Sequence, residues 1–486
     1  FNTHGYERAE VVEVPIATDI GTKSVQVFDD AGREVVSQFE VTRKYIPETM
    51  NRVRGDAHSS ELKPGESIGA GRLLFRSIVP PTGRAAYRVK TSADSTRESQ
   101  LAGVTAKRSA DGPVLIESDL YKVRIEPARG GILSSVYVKD LEKEFCATGD
   151  RAFHEFRGFF IEEKAWHSST ENPATVDIIE PGPLRVTVLI TGKVESVPFR
   201  SSISVTHGQR RIDFHTQFHF ERDTWIGDPW EIEPAQRMTG RRRSEYDDRY
   251  KLLALFPVAF SQEAIYKNAA FDVCRSENVN TFFNSWDSIK HNIILNWVDL
   301  MDEKDKIGLA LLTDHTTSYG HGTNHPLSLV MAWGWDGGFW WGKCPLNGIQ
   351  EARYAVVPHS GHWEEAALWS EVSEWSEPPL VAITSSSTAL LESRGTSLLK
   401  IETPGVQLSA MTVSGRDLLL RLFNARSEKE DHTIRLGVHA SSIELVELDG
   451  RQAALVHPDR DARGERIRVT IPKFGLATVR LRDVVA

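Results

Sequence analysis

The sequence predicts an all-β protein, with a large central antiparallel β-sandwich flanked by two smaller β-sandwich domains. Three observations predict it. Apolar and polar residues alternate at period two through most of the chain, the pattern of half-buried strands. Short Gly-, Pro-, Asn- and Asp-bearing turns separate the alternating runs, and helix-length segments are few. The 486 residues correspond to roughly two to four domains. Two composition shifts divide them into residues 1–105, 106–382 and 383–486.

The chain opens FNTHGYERAEVVEVPIA, with no initiator Met, basic leader or apolar signal run. Val11, Val12, Val14 and Ile16 read as a strand already under way, so the reading expects a chain cut from, or lacking, a longer front part. VQVFDDAGREVVSQFEV (Val25–Val41) reads as two strands joined by an Asp-Asp-Ala-Gly turn. RLLFRSIVPPTGRAAYRVK (Arg72–Lys90) repeats the pattern around Pro-Pro-Thr-Gly, and the polar stretch Thr91–Gly112 is a linker candidate. In LIESDLYKVRIEPARGGILSSVYVKD two strands flank the turn at Gly130-Gly131. RVTVLITGKVES and RSSISVTHGQRRIDFHTQFHFE are long alternating runs, as expected of a large antiparallel sandwich. Pro-Pro and a Ser run in EPPLVAITSSSTALLESRG break the pattern. DLLLRLFNARS and RIRVTIPKFGLATVRL then read as a small terminal sandwich.

Composition narrows the function classes. The net charge is −9, and Arg241-Arg242-Arg243 is followed at once by Glu245, Asp247 and Asp248, so nucleic-acid binding has little electrostatic support. No segment approaches the ~20 apolar residues that cross a bilayer, so no membrane partner is expected. Three cysteines, Cys146, Cys274 and Cys344, form no CxxC pair, and no Asn-x-Ser/Thr acceptor occurs. Both observations favour a chain not matured along a eukaryotic secretory route, with the cytoplasm the favoured compartment. HExxH and the phosphate-binding GxxxxGK[ST] are also absent.

Four stretches carry candidate chemistry. IDFHTQFHFE places Asp213, His215, Gln217, His219 and Glu221 on one strand face. Residues four apart in a strand are about 13 Å apart, and metal ligands must converge within ~2–2.5 Å of one ion. A solvated or groove-facing sheet surface is therefore the better reading. In MAWGWDGGFWWGKC, Trp333, Trp335, Phe339, Trp340 and Trp341 offer flat rings for sugar faces, or anchors for a core or an interface. In the polar loop DPWEIEPAQRMTGRRRSEYDDR, Trp230 precedes Glu231 and Glu233, a carboxylate pair about 7 Å apart along an extended backbone. Such pairs serve glycoside hydrolysis but also occur in any charged loop. LLTDHTTSYGHGTNHPLSL sets Asp314, His315, Tyr319, His321, Asn324 and His325 among glycines, a density that fits polyol recognition or an ordinary turn-rich connection.

Seven stretches, in order, resemble the C-terminal half of glycoside hydrolase family 38, the α-mannosidases. They are FNTHGYERAEVVEVPI, LIESDLYKVRIEPARGGILSSVYVKD, YDDRYKLLALFPVAF, the segment around SWDSIKHNIILNWVDL, KIGLALLTDHTTSYGHG, EARYAVVPHSGHWEEA, and the pair LLLRLFNARS with VTIPKFGLATVRL. The resemblance covers nearly the whole chain. It implies a central supersandwich of the galactose-mutarotase-like kind. It also implies an N-terminal catalytic domain, upstream of Phe1, holding a zinc ion and an Asp nucleophile. None of those catalytic motifs is matched, so no catalytic residue, metal ligand or cofactor is expected in this chain. The resemblance implies that the chain packs against its own catalytic domain through a docking face and lends loops to a mannoside-binding groove. Asp314, Tyr319 and His321 fall on one such loop and are the candidate sugar-binding residues. One departure is DTWIGDPWEIEPAQRMTGRRRSEY (223–246), an insertion ahead of a strand that relatives reach sooner.

Two other classes fit the residues. A free-standing carbohydrate-binding protein would stack sugars on the Trp-rich segment. A β-sandwich lyase or epimerase would work through His215 and His219 on its own concave face.

Overall fold

The structure is a computed structural model, and it describes residues 1–19, 22–45, 68–92, 103–110, 112–227, 248–276, 293–322, 324–336, 343–383, 397–461 and 464–485. The described residues fall into two compact units, one built from residues 1–102 and 373–486, the other from 103–372. Both are all-β sandwiches of antiparallel sheets, as the period-two pattern predicts. The first and last of the three sequence segments thus contribute to one unit.

In the discontinuous unit, Arg8–Asp19 pairs with Ile68–Val79, which pairs in turn with Ser37–Tyr45. A second small sheet joins Glu34–Val35, Ser24–Phe28 and Arg88–Ser92. Val12, Val14, Val25, Val27, Leu73 and Phe75 fill the space between them. The Pro-Pro-Thr-Gly turn does not close a hairpin, contrary to the simplest reading of the sequence. The strand before it joins one sheet and the strand after it joins the other. The Thr82 hydroxyl donates to the Leu399 carbonyl and accepts from the Leu399 N–H, both at 2.9 Å, and the turn bridges Ser397 through Gly83. The turn's polar groups are satisfied by the far end of the chain rather than by its own flanking strands.

That far end is a second sandwich. A four-stranded sheet orders Leu399–Ile401, Glu430–Leu436, Gly464–Ile471 and Asp459–Asp461. A five-stranded sheet orders Val406–Ser414, Asp417–Asn424, Leu476–Arg482, Ser442–Val446 and Gln452–Leu455. Leu420, Leu422, Ile434, Ile467, Val479 and Leu481 form its core. Within the same unit the buried Arg8 guanidinium pairs with Glu10 at 2.5 Å and donates to the Glu374 and Glu377 carbonyls, at the end of the helix Leu368–Ser376, at 2.8 and 2.5 Å. Those carbonyls are ones a helix end leaves without internal partners.

The central unit is larger. Its nine-stranded sheet runs Thr175–Pro181, Arg185–Val194, Val197–Thr206, Ile212–Thr224, Leu346–Ser360, Ile307–Thr313, Trp297–Asp302, Glu263–Ala269 and Asp272–Ser276. A six-stranded sheet runs Ala165–Ser168, Glu155–Phe160, Leu252–Phe256, His325–Ala332, Thr317–Gly322 and Ile293–Ile294. A five-stranded sheet completes the unit, and its Tyr121–Glu126 and Ile132–Val138 form the hairpin expected around Gly130-Gly131. Both glycines are left-handed, at φ 69° and 76°, a conformation glycine adopts without a Cβ penalty.

One contiguous apolar core joins these sheets, from Val104 through Phe156, Phe214 and Leu309 to Val356. A polar chain runs through it. The Tyr354 hydroxyl lies 2.8 Å from His154 Nε2 and 2.8 Å from Thr216 Oγ1, which lies 2.7 Å from Ser201 Oγ. Burial holds the His154 imidazole down at about 3, so it is neutral in the fold.

Candidate functional site

The strand Thr317–Gly322 carries two of the three candidate sugar-binding residues. Period two turns Tyr319 and His321 to the same side. The Tyr319 ring is fully buried in the core and its hydroxyl reaches Ser276 Oγ at 3.4 Å. His321 is 2% exposed and its Nε2 lies 2.9 Å from Glu263 Oε2. Asp314 is elsewhere in its bonding. It is exposed just past the strand Ile307–Thr313, and its carboxylate meets His315 Nδ1 at 2.6 Å. The structure therefore brings Tyr319 and His321 into one cluster, and of the three only Asp314 is open to solvent.

Glu263, Lys267, Cys274 and Ser276 complete that cluster, and sequence reasoning missed all four. Glu263 and Lys267 flank Ile265 on one face of their strand, and Ile265 belongs to the core, so that face is inward. The Lys267 ammonium sits 5.6 Å from the Tyr319 ring centroid, and Cys274 is its cross-strand partner. Burial lowers the Lys267 amine from its usual range, against a small opposing effect of Cys274, and burial raises the Tyr319 phenol. The one local signal in the sequence was a pair of charged residues four apart astride an Ile that alternation assigns to the core.

The six-stranded sheet carries a second cluster on the face turned away from the core. In the strand Glu155–Phe160, Phe156 and Phe160 pack inward, which puts Arg157 and Phe159 on the other side. Trp166 stands directly across from Phe159 in the register, with ring centroids 5.6 Å apart. Tyr250 stacks on Trp166 at 5.0 Å and 27°. The Arg157 guanidinium lies over the Trp166 ring, 3.8 Å from its centroid. Glu155 is 1% exposed and fully engaged: it takes Arg151 Nη1 at 3.0 Å, the Ala152 N–H at 2.9 Å and the Ser168 hydroxyl at 2.7 Å. Glu171 takes the Ser168 N–H at 3.1 Å and pairs with His167 at 3.2 Å. At the near end of the sheet His325 contacts Ser328 Oγ at 3.0 Å. Burial first, then the charges of Arg249, His321, Arg157 and Arg151, push its imidazole down to about 3.

The row Asp213–Glu221 alternates as expected, and its residues are half-buried or exposed while Ile212, Phe214, Thr216, Phe218 and Phe220 are buried. His215 and Gln217 reach Glu351 at 3.4 and 2.7 Å, and the bonds from Gln217 and His215 lower that carboxyl. Among the described residues, no group of three or more His, Cys, Asp or Glu side chains could hold a metal ion. No helix among them is long and apolar enough to cross a membrane. From the Trp-rich segment, Trp333 packs beside Leu253, Leu255 and Val330, with the Lys251 ammonium 4.4 Å from its ring centroid. The Trp335 side chain, Phe339, Trp340 and Trp341 lie outside the described residues, as do Trp230, Glu231, Glu233 and most of the 223–246 insertion.

These sheets and clusters define an all-β protein of several antiparallel sandwich domains. Comparison with known proteins places it further. Residues 116–332, inside the central unit, match the family described as glycosyl hydrolases family 38 C-terminal domain, and that segment is such a domain. It is the family to which the sequence motifs point. Among solved structures, the chain is similar to an α-mannosidase from Enterococcus faecalis V583, with TM-score 0.64 and 14% identity over 99% of this chain and 55% of that one. It is also similar to a glycosyl hydrolase family 38 protein from Enterococcus faecalis, with TM-score 0.64 and 13% identity over 99% of this chain and 57% of that one. At these identities the likeness is one of fold, and the chain spans little more than half the length of either. No curated protein matches it by sequence.

Proposed function

We propose that the chain is the non-catalytic β portion of an α-mannosidase-like glycoside hydrolase, buttressing a catalytic domain and shaping its carbohydrate groove. One observation supports the reading: 99% of the chain aligns with 55% of an α-mannosidase. The groove-shaping role draws on the family 38 C-terminal match. Within this reading Asp314 is the exposed candidate for a direct sugar contact. Tyr319 and His321 act from behind it, fixing Glu263 and the Lys267 side chain at the end of the sandwich. A zinc ion and an Asp nucleophile would belong to the catalytic domain. The described residues here do not provide a metal-ligand set, and no step of hydrolysis is assigned to them.

The test is turnover of an aryl α-mannoside by the chain alone and by the chain joined to the coding sequence upstream of Phe1. Activity is expected in the joined protein only. Turnover by the chain alone, surviving repurification and lost in His215→Ala or His219→Ala, would replace this reading with a self-contained β-sandwich enzyme.

A further inference from the structure

The carboxylates around Arg157 are engaged with other groups. Glu155 and Glu171, the acids that bear on Arg157, already accept three and two polar contacts from other groups. Among the described residues no carboxylate, carbonyl or hydroxyl accepts a hydrogen bond from the Arg157 guanidinium. The Arg157 side chain is half-buried, and its nitrogens are not among the buried atoms that lack a partner, so its five N–H donors face solvent and are open to a ligand. Stacking explains only one surface of the group. Trp166 covers a face of the guanidinium, while the N–H bonds all point outward in its plane. A stacked arginine therefore offers an in-plane fork, the geometry that grips a carboxylate or phosphate through two parallel bonds.

The surroundings favour an anion at that fork. Arg151 is paired with Glu155 at 3.0 Å and Lys251 with Asp248 at 2.6 Å, so neither competes with Arg157 for an incoming anion. Next to the fork, Trp166, Tyr250 and Phe159 form a partly exposed aromatic cluster. Flat aromatic surface suits the C–H face of a pyranose. A guanidinium fork beside such a surface fits a sugar that carries an oxyanion.

We propose that Arg157, with Trp166 and Tyr250, forms a binding subsite for an acidic saccharide, the guanidinium taking its carboxylate or phosphate and the rings taking the sugar face. This rests on the reading that the chain lines a carbohydrate groove. It names the class of saccharide, a charged one, that this groove selects.

The experiment is calorimetric or NMR titration of the full chain with four probes: glucuronate, mannose 6-phosphate, mannose and inorganic phosphate. At least one acidic sugar is expected to bind ten-fold or more tighter than mannose and than phosphate alone. The comparison of glucuronate with mannose 6-phosphate tells carboxylate from phosphate. Arg157→Gln is expected to abolish the preference for the acidic sugar, and Arg157→Lys to restore part of it, since charge returns without the fork. Trp166→Leu should weaken acidic sugars and leave weak phosphate binding in place. Thermal midpoints of the variants identify any that fail to fold, and Tyr250→Leu supplies an independent test of the ring surface. Mannose binding as tightly as its acidic counterparts overturns the proposal, as does acidic-sugar binding indifferent to Arg157→Gln. Phosphate alone matching the acidic sugars overturns the saccharide part, and absence of binding by all four probes overturns the whole. The titration involves no turnover. Its failure leaves the mannosidase reading standing, and an inactive joined protein leaves the titration readable.

Discussion

Tyr354→Phe tests the polar chain that crosses the central core. The substitution removes one oxygen and keeps the ring, which is stacked on Phe214 at 5.1 Å and 7°. The lost hydroxyl is the shared partner of His154 Nε2 and Thr216 Oγ1. Thr216 keeps Ser201, at 2.7 Å. His154 keeps nothing at Nε2 and is 2% exposed. The expected cost is about 1 kcal/mol for the lost bond and about 1–3 kcal/mol for the orphaned nitrogen, together about 2–4 kcal/mol. Amide hydrogen exchange on the full chain reads this locally. Peptides from Leu346–Ser360 and Ile212–Thr224 should exchange roughly 30- to 900-fold faster, at 1.36 kcal/mol per factor of ten. An acceleration under about three-fold would refute the argument, because it would mean the buried hydroxyl carries no net stability. The same chain predicts a pH effect. The His154 imidazole falls from 6.5 unfolded to about 3 folded, so the unfolded chain binds a proton that the fold excludes. The stabilisation is full above pH 6.5 and is lost as pH falls from 6.5 toward 3. The limit is on the order of 5 kcal/mol, or about 1.4 kcal/mol per pH unit. His154→Gln should flatten this slope in the same peptides; parallel slopes for the two proteins would remove His154 as its source.

Three further outcomes are expected. His432, on the strand Glu430–Leu436 of the terminal sandwich, is fully buried with neither ring nitrogen bonded, and burial lowers its imidazole. His432→Leu should therefore stabilise that sandwich by about 1 kcal/mol or more, seen as a higher thermal midpoint, with the gain growing as pH drops below 6.5. Gly130→Ala would bring a Cβ to 2.1 Å from the Ser169 carbonyl at a φ of 69°, so a loss of about 1–3 kcal/mol in urea unfolding is expected. Arg8→Ala removes the charge 2.5 Å from the buried Glu10 and the donor to the Glu374 and Glu377 carbonyls. A loss of about 3–5 kcal/mol should appear as rapid exchange in Arg8–Asp19 and in the residues just after the helix.

The sequence by itself determined the class of fold and most of the strands, because alternation is a local property of the backbone. In IDFHTQFHFE every second side chain is buried in the structure, as the pleat requires. The hairpin at Gly130-Gly131 was equally legible, since its turn needs a left-handed backbone that glycine supplies. The order of the motifs pointed to the family that the central unit matches.

Only the tertiary structure decided which strands meet. Ile212–Thr224 pairs with Leu346–Ser360, more than a hundred residues later, and no local signal encodes that choice. The Pro-Pro-Thr-Gly turn looked like a hairpin because its chemistry is that of a turn. Its partners lie near Ser397, so it carries the chain between sheets instead. The candidate sites show the same division. Tyr319 and His321 were visible as polar residues of one loop, which the structure makes the strand Thr317–Gly322, but their partners Lys267 and Glu263 sit on another strand, where cross-sheet packing sets the pairing. Arg157, Trp166 and Tyr250 are unremarked residues in three separate stretches. Strand register puts Trp166 across from Phe159, and the fold carries Tyr250 onto its ring. Alternation tells each residue which way to face. What it faces depends on the free energy of the whole packed sheet, which a period-two pattern does not contain.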